Sequence, residues 1–193
     1  LSLIKLKSLL EGEKISFKRI FDTLKNFDGT DVLVVGDTII DTYVNTTLLG
    51  SNAKTPTFST KYLGEKKYIG GAAIVAQHLK AAGAKVKFCS VLGKDSLSTL
   101  VKNEIKKSGI KDLTIIDDQR PTTEKKYYIS DGYRLLKVDT VDNSPVNSEI
   151  IKRISNHIAK HKNGIVIFSD FRHGIFSNES IKSLKNSINK GVF

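Results

Sequence analysis

The sequence predicts an α/β fold: a doubly wound, mainly parallel sheet with helices on both faces and a small β lid. Three observations predict it. The apolar runs "DVLVVGD" (31–37), "VKFCSVLG" (86–93) and "GIVIFSD" (164–170) end in Gly or Asp, as strands covered on both faces do. Segments with Leu and Ile at helical spacing alternate with them, as βα units require. Two stretches, 43–69 and 122–139, lack helical periodicity and hold many Thr, Tyr and Val, so they read as strands outside the main sheet.

Each element has its own justification. Residues 3–28 read as one or two amphipathic helices, with Ile20, Phe21 and Leu24 on one face; residues 1–28 are expected to form a helical extension to a main domain at 29–193. After the first strand and the first lid segment, Gly70 and Gly71 stand at the head of a helix whose next residues are the small Ala72 and Ala73. In "DSLSTLVKNEIKKSG", Leu97, Leu100, Val101 and Ile105 share a face, and Gly109 sits where a helix stops. In "NSEIIKRISNHIAKHKNG", Ile150, Ile151, Ile154 and Ile158 form a stripe ending in basic residues and Gly164. A last helix in "SNESIKSLKNSINKG" places Ile181, Leu184 and Ile188 together, capped by Ser177 or Asn178. No Met occurs anywhere, including position 1, so Leu1 is not expected to be the natural start; at the other end "GVF" at 191–193 reads as the opening of another strand, so the chain is expected to be truncated at its C-terminus.

Composition excludes several classes. The 193 residues suffice for one sizeable core, and 39% hydrophobic with 26% charged residues is ordinary for a globular protein. The lone Cys89, inside an apolar run, excludes a disulfide framework and a cysteine metal site, and reads as a small buried hydrophobe in a reducing cytoplasm. No stretch reaches the roughly 18 apolar residues of a membrane helix. The apolar start "LSLIKLKSLL" is broken by Lys5 and Lys7 and is not laid out as a secretory signal. The net charge of +11 raises a nucleic-acid partner. The lysines are spread along the chain, however, and the tyrosine-flanked pairs in "EKKYIGG" and "TTEKKYYIS" fit strands with a solvated lysine face, so nucleic-acid binding is the weakest reading.

Ligands of open α/β sheets bind beyond the carboxyl ends of the strands. That rule selects Asp37 and Asp41 after the first strand, Gly70 and Gly71 at a helix start, and Asp170 and His173 after "IVIFS". Carboxylates there accept hydrogen bonds from sugar hydroxyls, and a glycine pair offers bare N–H groups to an oxygen-rich ligand. Plain alternatives stand beside each. Asp37 and Asp170 serve equally as turn caps, Asp41 as a loop residue, the glycines as spacers for tight packing, and His173 as a turn histidine. Neither a P-loop nor a G-x-G-x-x-G fingerprint is present.

Taken in order, "VLVVGDTIIDTY", "GGAAIVAQHLKAAGAKVKFCSVLGKD", "TTEKKYYISDGYRLLKVD" and "IVIFSDFRHG" resemble the N-terminal part of PfkB/ribokinase-type carbohydrate kinases, and among these the heptose-phosphate kinases. The resemblance runs from about Asp31 to the chain end. It implies a ribokinase-like fold and ATP- and Mg²⁺-dependent phosphorylation of a sugar or sugar phosphate. Asp41 would bind substrate hydroxyls, Gly70 and Gly71 would line the sugar pocket, and Asp170 would lie near the substrate's outer end. The family's catalytic base, an Asp in a G-x-G-D motif, and its ATP site are expected beyond Phe193, so the 193 residues alone would be inactive. Relatives often pair through their lid strands, which implies a homodimer. Three positions depart from the family: Ile74 replaces an Asn that contacts a sugar hydroxyl, His173 replaces a lysine, and Tyr127 stands where the heptose kinases commonly have arginine. The alternative reading is a non-catalytic sugar-binding or interaction module of the same fold.

Overall fold

The computed structural model describes residues 3–51 and 56–188. In chain order these form α1 (Leu3–Gly12), α2 (Phe17–Lys25), β1 (Asp31–Gly36), β2 (Thr38–Ser51) and β3 (Phe58–Gly71). Then come α3 (Ala72–Ala81), β4 (Lys85–Cys89), β5 (Val91–Gly93), α4 (Ser96–Lys107), β6 (Lys111–Asp112) and β7 (Ile115–Asp117). The chain continues through β8 (Glu124–Ser130), β9 (Tyr133–Thr140), α5 (Ser148–Lys160), β10 (Ile165–Ser169) and α6 (Asn178–Asn186).

The main sheet is parallel, in the order β10-β1-β4-β6. Strand side chains alternate between faces, and β1 shows the consequence. Val32 and Val34 enter a core shared with Ala72, Ala73 and Ala76 of α3 and Val101 and Ile105 of α4. Leu33 and Val35 enter a second core with Ile150, Ile151, Ile154 and Ile158 of α5 and Leu184 of α6. Helices therefore cover both faces, as the sequence predicts. The four isoleucines of α5 are all buried, and each contributes about 1.5–3 kcal/mol by leaving water. Asn147 caps this helix by accepting the Ile150 N–H at 2.9 Å, and Ser177 closes a capping box with Ser180 at the start of α6. Cys89 is fully buried, and burial pushes its thiol up to about 12.

A second sheet, β3-β2-β8-β9, forms the lid. It begins at Thr38, earlier than the expected residue 43, and its last pairs are Ile39 with Gly70 and Thr38 with Gly71. The chain leaves the main sheet directly at Asp37, so the root of the lid lies at the carboxyl end of β1. Thr42, Val44 and Thr46 are buried on one lid face, where Thr42 Oγ1 donates to Glu124 Oε1 at 2.6 Å. Asp41 and Tyr43 occupy the other face with their pairing partners Tyr68, Lys125 and Tyr127.

Four further differences are local. The run 86–93 is two strands, because the chain breaks at Ser90, whose Oγ lies 2.8 Å from Thr38 Oγ1; β5 then pairs with β7. The short strands β6 and β7 carry too few residues for a period to show in the sequence. Ile181 is 48% exposed, leaving Leu184 as the buried residue of its stripe. Neither α1 nor α2 has a buried residue, and Phe21 and Leu24 are exposed. Residues 191–193, where a further strand would open, lie outside the described residues.

Candidate functional site

The carboxyl ends of β1 and β10 meet at Asp37, which is 2% exposed. Its N–H donates to Ser169 O at 3.2 Å, and its carbonyl accepts the Ala72 N–H at 2.8 Å, which anchors the start of α3. Its Oδ2 accepts the N–H groups of Phe171 at 2.9 Å and His173 at 3.2 Å. Burial raises the Asp37 carboxyl above its ordinary value, and those N–H groups oppose the rise. The side chain thus holds the 170–175 loop against the sheet, and the protein's own backbone occupies the atom that the sequence reading offers to a ligand.

The two glycines have different reasons. Gly71 is buried with φ +61°, and a Cβ there would lie 2.3 Å from Asp37 O. The fold by itself requires a glycine here. A Cβ at Gly70 would meet a functional group instead, Asp41 Oδ2 at 3.1 Å. Asp41 and Gly70 therefore adjoin at the lid root, as the sequence reading requires. Asp41 is half-buried and pairs with Tyr68 on one side and Lys125 on the other. Asp139 and Lys137 continue the same face on β9, where Lys137 Nζ reaches Asp139 at 2.7 Å. That carboxylate raises the Lys137 ammonium's pKa, with a smaller contribution from Asp41. Tyr43 stacks on Tyr127 (ring centroids 5.3 Å apart) and meets Tyr68 edge-on at 5.8 Å. Arg134 lies 4.7 Å over the Tyr127 ring. The face is thus a carboxylate between an aromatic wall and a cationic rim.

Asp170 is exposed, and its Oδ1 accepts the Arg172 N–H at 2.7 Å, the turn-capping role that the sequence leaves open. His173 lies in the same loop, with Nδ1 2.7 Å from Asn143 Oδ1. Burial lowers its pKa, an effect that the Asp37 carboxylate opposes, and Lys125, Asp139 and Asp170 also act on it. The loop thus shares an electrostatic neighbourhood with the lid residues beside Asp41.

The sequence reading missed several residues around this site. Asp95 caps α4 through the Ser98 N–H at 2.8 Å and also accepts the Thr122 N–H at 2.8 Å. Thr122 Oγ1 in turn accepts the Gly93 N–H at 2.9 Å, tying the approach to β8 to the main domain. An Asp immediately before a helical pattern was a readable signal. Arg120 and Asn143 gave none for their loop contacts, since Ser144 and His173 lie 24 or more positions from Arg120 and His173 lies 30 from Asn143.

A parallel sheet whose first strand feeds a β lid, with a carboxylate and a bare glycine at the lid root, is the arrangement that the resemblance to sugar kinases implies. The comparison with protein families agrees: residues 29–167 match the pfkB family of carbohydrate kinases, and the chain belongs to that family. Among curated relatives, the chain is 33% identical over 168 residues to the bifunctional protein HldE of Helicobacter pylori, covering 82% of this chain and 35% of that protein. With HldE of Rhodopseudomonas palustris it shares 30% identity over 176 residues, covering 88% of this chain and 36% of that one. The chain thus spans about a third of the length of these relatives. Solved structures of the same fold include a carbohydrate kinase from Agrobacterium tumefaciens, with TM-score 0.58 and 15% identity over 82% of this chain and 50% of that one. Phosphofructokinase-2 from Escherichia coli gives TM-score 0.62 at 12% identity, with 82% and 50% covered. At such identities the likeness speaks for the fold, and function rests on the site.

Proposed function

We propose that this chain supplies the substrate-holding part of a kinase that transfers the γ-phosphoryl group of ATP to a hydroxyl of a sugar or sugar phosphate of the heptose-phosphate kind. The observation that carries this reading is the pairing of the Asp41 carboxylate with the bare backbone of Gly70 at the lid root. Asp41 accepts hydrogen bonds from two sugar hydroxyls, and Gly70 lets the ring approach the strand. Lys125 and Lys137 supply cationic charge on the same face for a substrate phosphate. Arg134, over the Tyr127 ring, brings a guanidinium to the place where the heptose kinases commonly carry their own arginine. Ile74, half-buried in α3, offers the sugar an apolar contact in place of the family's amide. In this reading the lid covers the bound sugar, and residues 1–28 are an extension to the kinase portion at 29–193.

Among the described residues no group of three or more His, Cys, Asp or Glu side chains gathers, and ATP and Mg²⁺ enter this reading only through the family. No step is therefore assigned to them within this chain. ATP turnover by the protein at its natural length, measured over a panel of sugars, hexose phosphates and heptose phosphates, tests the reading. Turnover is expected on a phosphorylated sugar, and silence across the panel contradicts it.

A non-catalytic sugar-binding or interaction module of the same fold is the second reading, favoured by Ile74 in place of the family's Asn. It predicts sugar binding without turnover in that assay. Pairing of two copies through the lid is a further part of the proposal. Tyr62, Leu136 and Val138 of the lid are 61%, 57% and 43% exposed, an apolar content that a second lid would cover.

A further inference from the structure

The loop between β10 and α6 is under conformational load. Gly174 has φ +98°, which glycine adopts freely, but Arg172 has φ +63°, and a non-glycine residue persists there only where its surroundings over-determine it. Asp37 holds the loop from the sheet side through the N–H groups of Phe171 and His173. Arg120 holds it from the other side.

The Arg120 guanidinium spans three segments. Nε donates to Asp117 Oδ2 at 3.0 Å, Nη1 to His173 O at 3.3 Å and Nη2 to Ser144 O at 3.1 Å. The Arg120 and Asp117 side chains are only 8% and 7% exposed. A Cβ on Gly174 would lie 2.8 Å from Nη1 and 2.2 Å from Ser144 O, so the glycine is what lets the arginine and both loops close together. Asn143, adjacent to Ser144, makes the contact to His173 Nδ1, while His173 Nε2 is buried without a partner among the described residues. The ring therefore takes its orientation from the segment that Arg120 ties down.

We propose that Arg120 is a positioning residue: one guanidinium fixes the His173 main chain and the Asn143–Ser144 segment that orients its ring, and so sets this loop against the Asp41 face. The consequence for binding rests on the proposed function; the positional claim does not. A planar fork with several donors is needed for this, since an ammonium at the same place cannot serve three divergent acceptors with the same geometry.

The test is Arg120→Lys in this chain for spectroscopy and in the protein at its natural length for binding. The chain has four histidines, so the His173 imidazole signal is assignable by comparison with His173→Gln. The expected result is a moved His173 ring resonance and an altered titration midpoint, with the sheet amides unmoved. Binding of a heptose phosphate should weaken about tenfold, the scale of losing a hydrogen bond to a charged group. A folded Arg120→Lys variant with unchanged His173 signals overturns the proposal, because a merely stabilising ion pair would lower the melting temperature and leave the ring alone. If that variant does not fold, Asn143→Ala cuts the same link without touching the ion pair: a moved His173 ring supports the proposal and an unmoved one overturns it. A moved ring in the variant, together with a wild-type protein that binds no sugar phosphate, sinks the proposed function and leaves the positioning role standing.

Discussion

Gly71→Ala separates what the fold needs from what the site needs. The residue has φ +61° and ψ −138°, a region open in practice to glycine alone, and forcing another residue there costs about 1–3 kcal/mol. The new methyl would also start 2.3 Å from Asp37 O, a backbone atom tied to Ala72 and unable to swing away. Relieving that clash requires moving the start of α3, so the total loss is about 3 kcal/mol or more. With a urea slope of about 2 kcal/mol/M, the unfolding midpoint should fall by roughly 1.5 M. The assay is urea denaturation followed by far-UV circular dichroism, with Gly70→Ala as the partner variant. A Cβ at 70 meets only the end of the Asp41 side chain at 3.1 Å and Ile39 O at 3.5 Å. Gly70→Ala should therefore lose less than about 1 kcal/mol of stability while weakening sugar binding. Equal midpoints for Gly71→Ala and wild type, or a Gly70→Ala loss as large as that at 71, would refute the reasoning.

Three other perturbations follow from the same contacts. Burial raises the Asp37 carboxyl, so the folded state holds that proton more tightly than the unfolded chain; this contribution is complete below the ordinary carboxylate range and fades as pH rises through the raised value. Asp37→Asn should remove that dependence, whereas Asp37→Ala should cost about 2 kcal/mol or more by leaving the Phe171 and His173 N–H groups unmatched, both read by denaturation across pH. Asp95 has the opposite sign. Burial pushes it up, but the Thr122 and Ser98 N–H groups outweigh burial and hold it below the ordinary value. Its stabilisation is present above the carboxylate range and lost as pH falls through the depressed value, so Asp95→Asn should flatten the acid limb of the stability profile. Thr42→Val in the lid removes the donor to Glu124 and should lower stability by about 1–3 kcal/mol, measured by thermal denaturation, because a buried carboxylate oxygen loses its partner.

The fold was readable because its signals are local. Alternating apolar runs and helical stripes recorded both the strands and the faces they bury, down to the α5 isoleucines. The lid was legible from its Thr and Tyr content, but its start was misplaced by five residues, because Thr38 and Ile39 suit a buried strand and a lid strand equally. Asp41 and Gly70 were legible as a pair only through the rule that ligands gather at strand ends. Gly71 and Asp37 read as site residues in sequence, and the structure gives both a second task that the sequence hides, joining β1, α3 and the 170–175 loop. Arg120 was invisible, since its role arises from carbonyls that share a neighbourhood only after folding.

The central claim is that Asp41, beside Gly70, grips a polyhydroxylated sugar. Calorimetric titration of a heptose phosphate into the wild-type protein and Asp41→Asn, at natural length, tests it most directly. The account predicts measurable binding by the wild type, a loss of at least about tenfold in the variant, and matching melting temperatures. Equal affinities in the two proteins, or no binding by the wild type to any sugar or sugar phosphate offered, would contradict it.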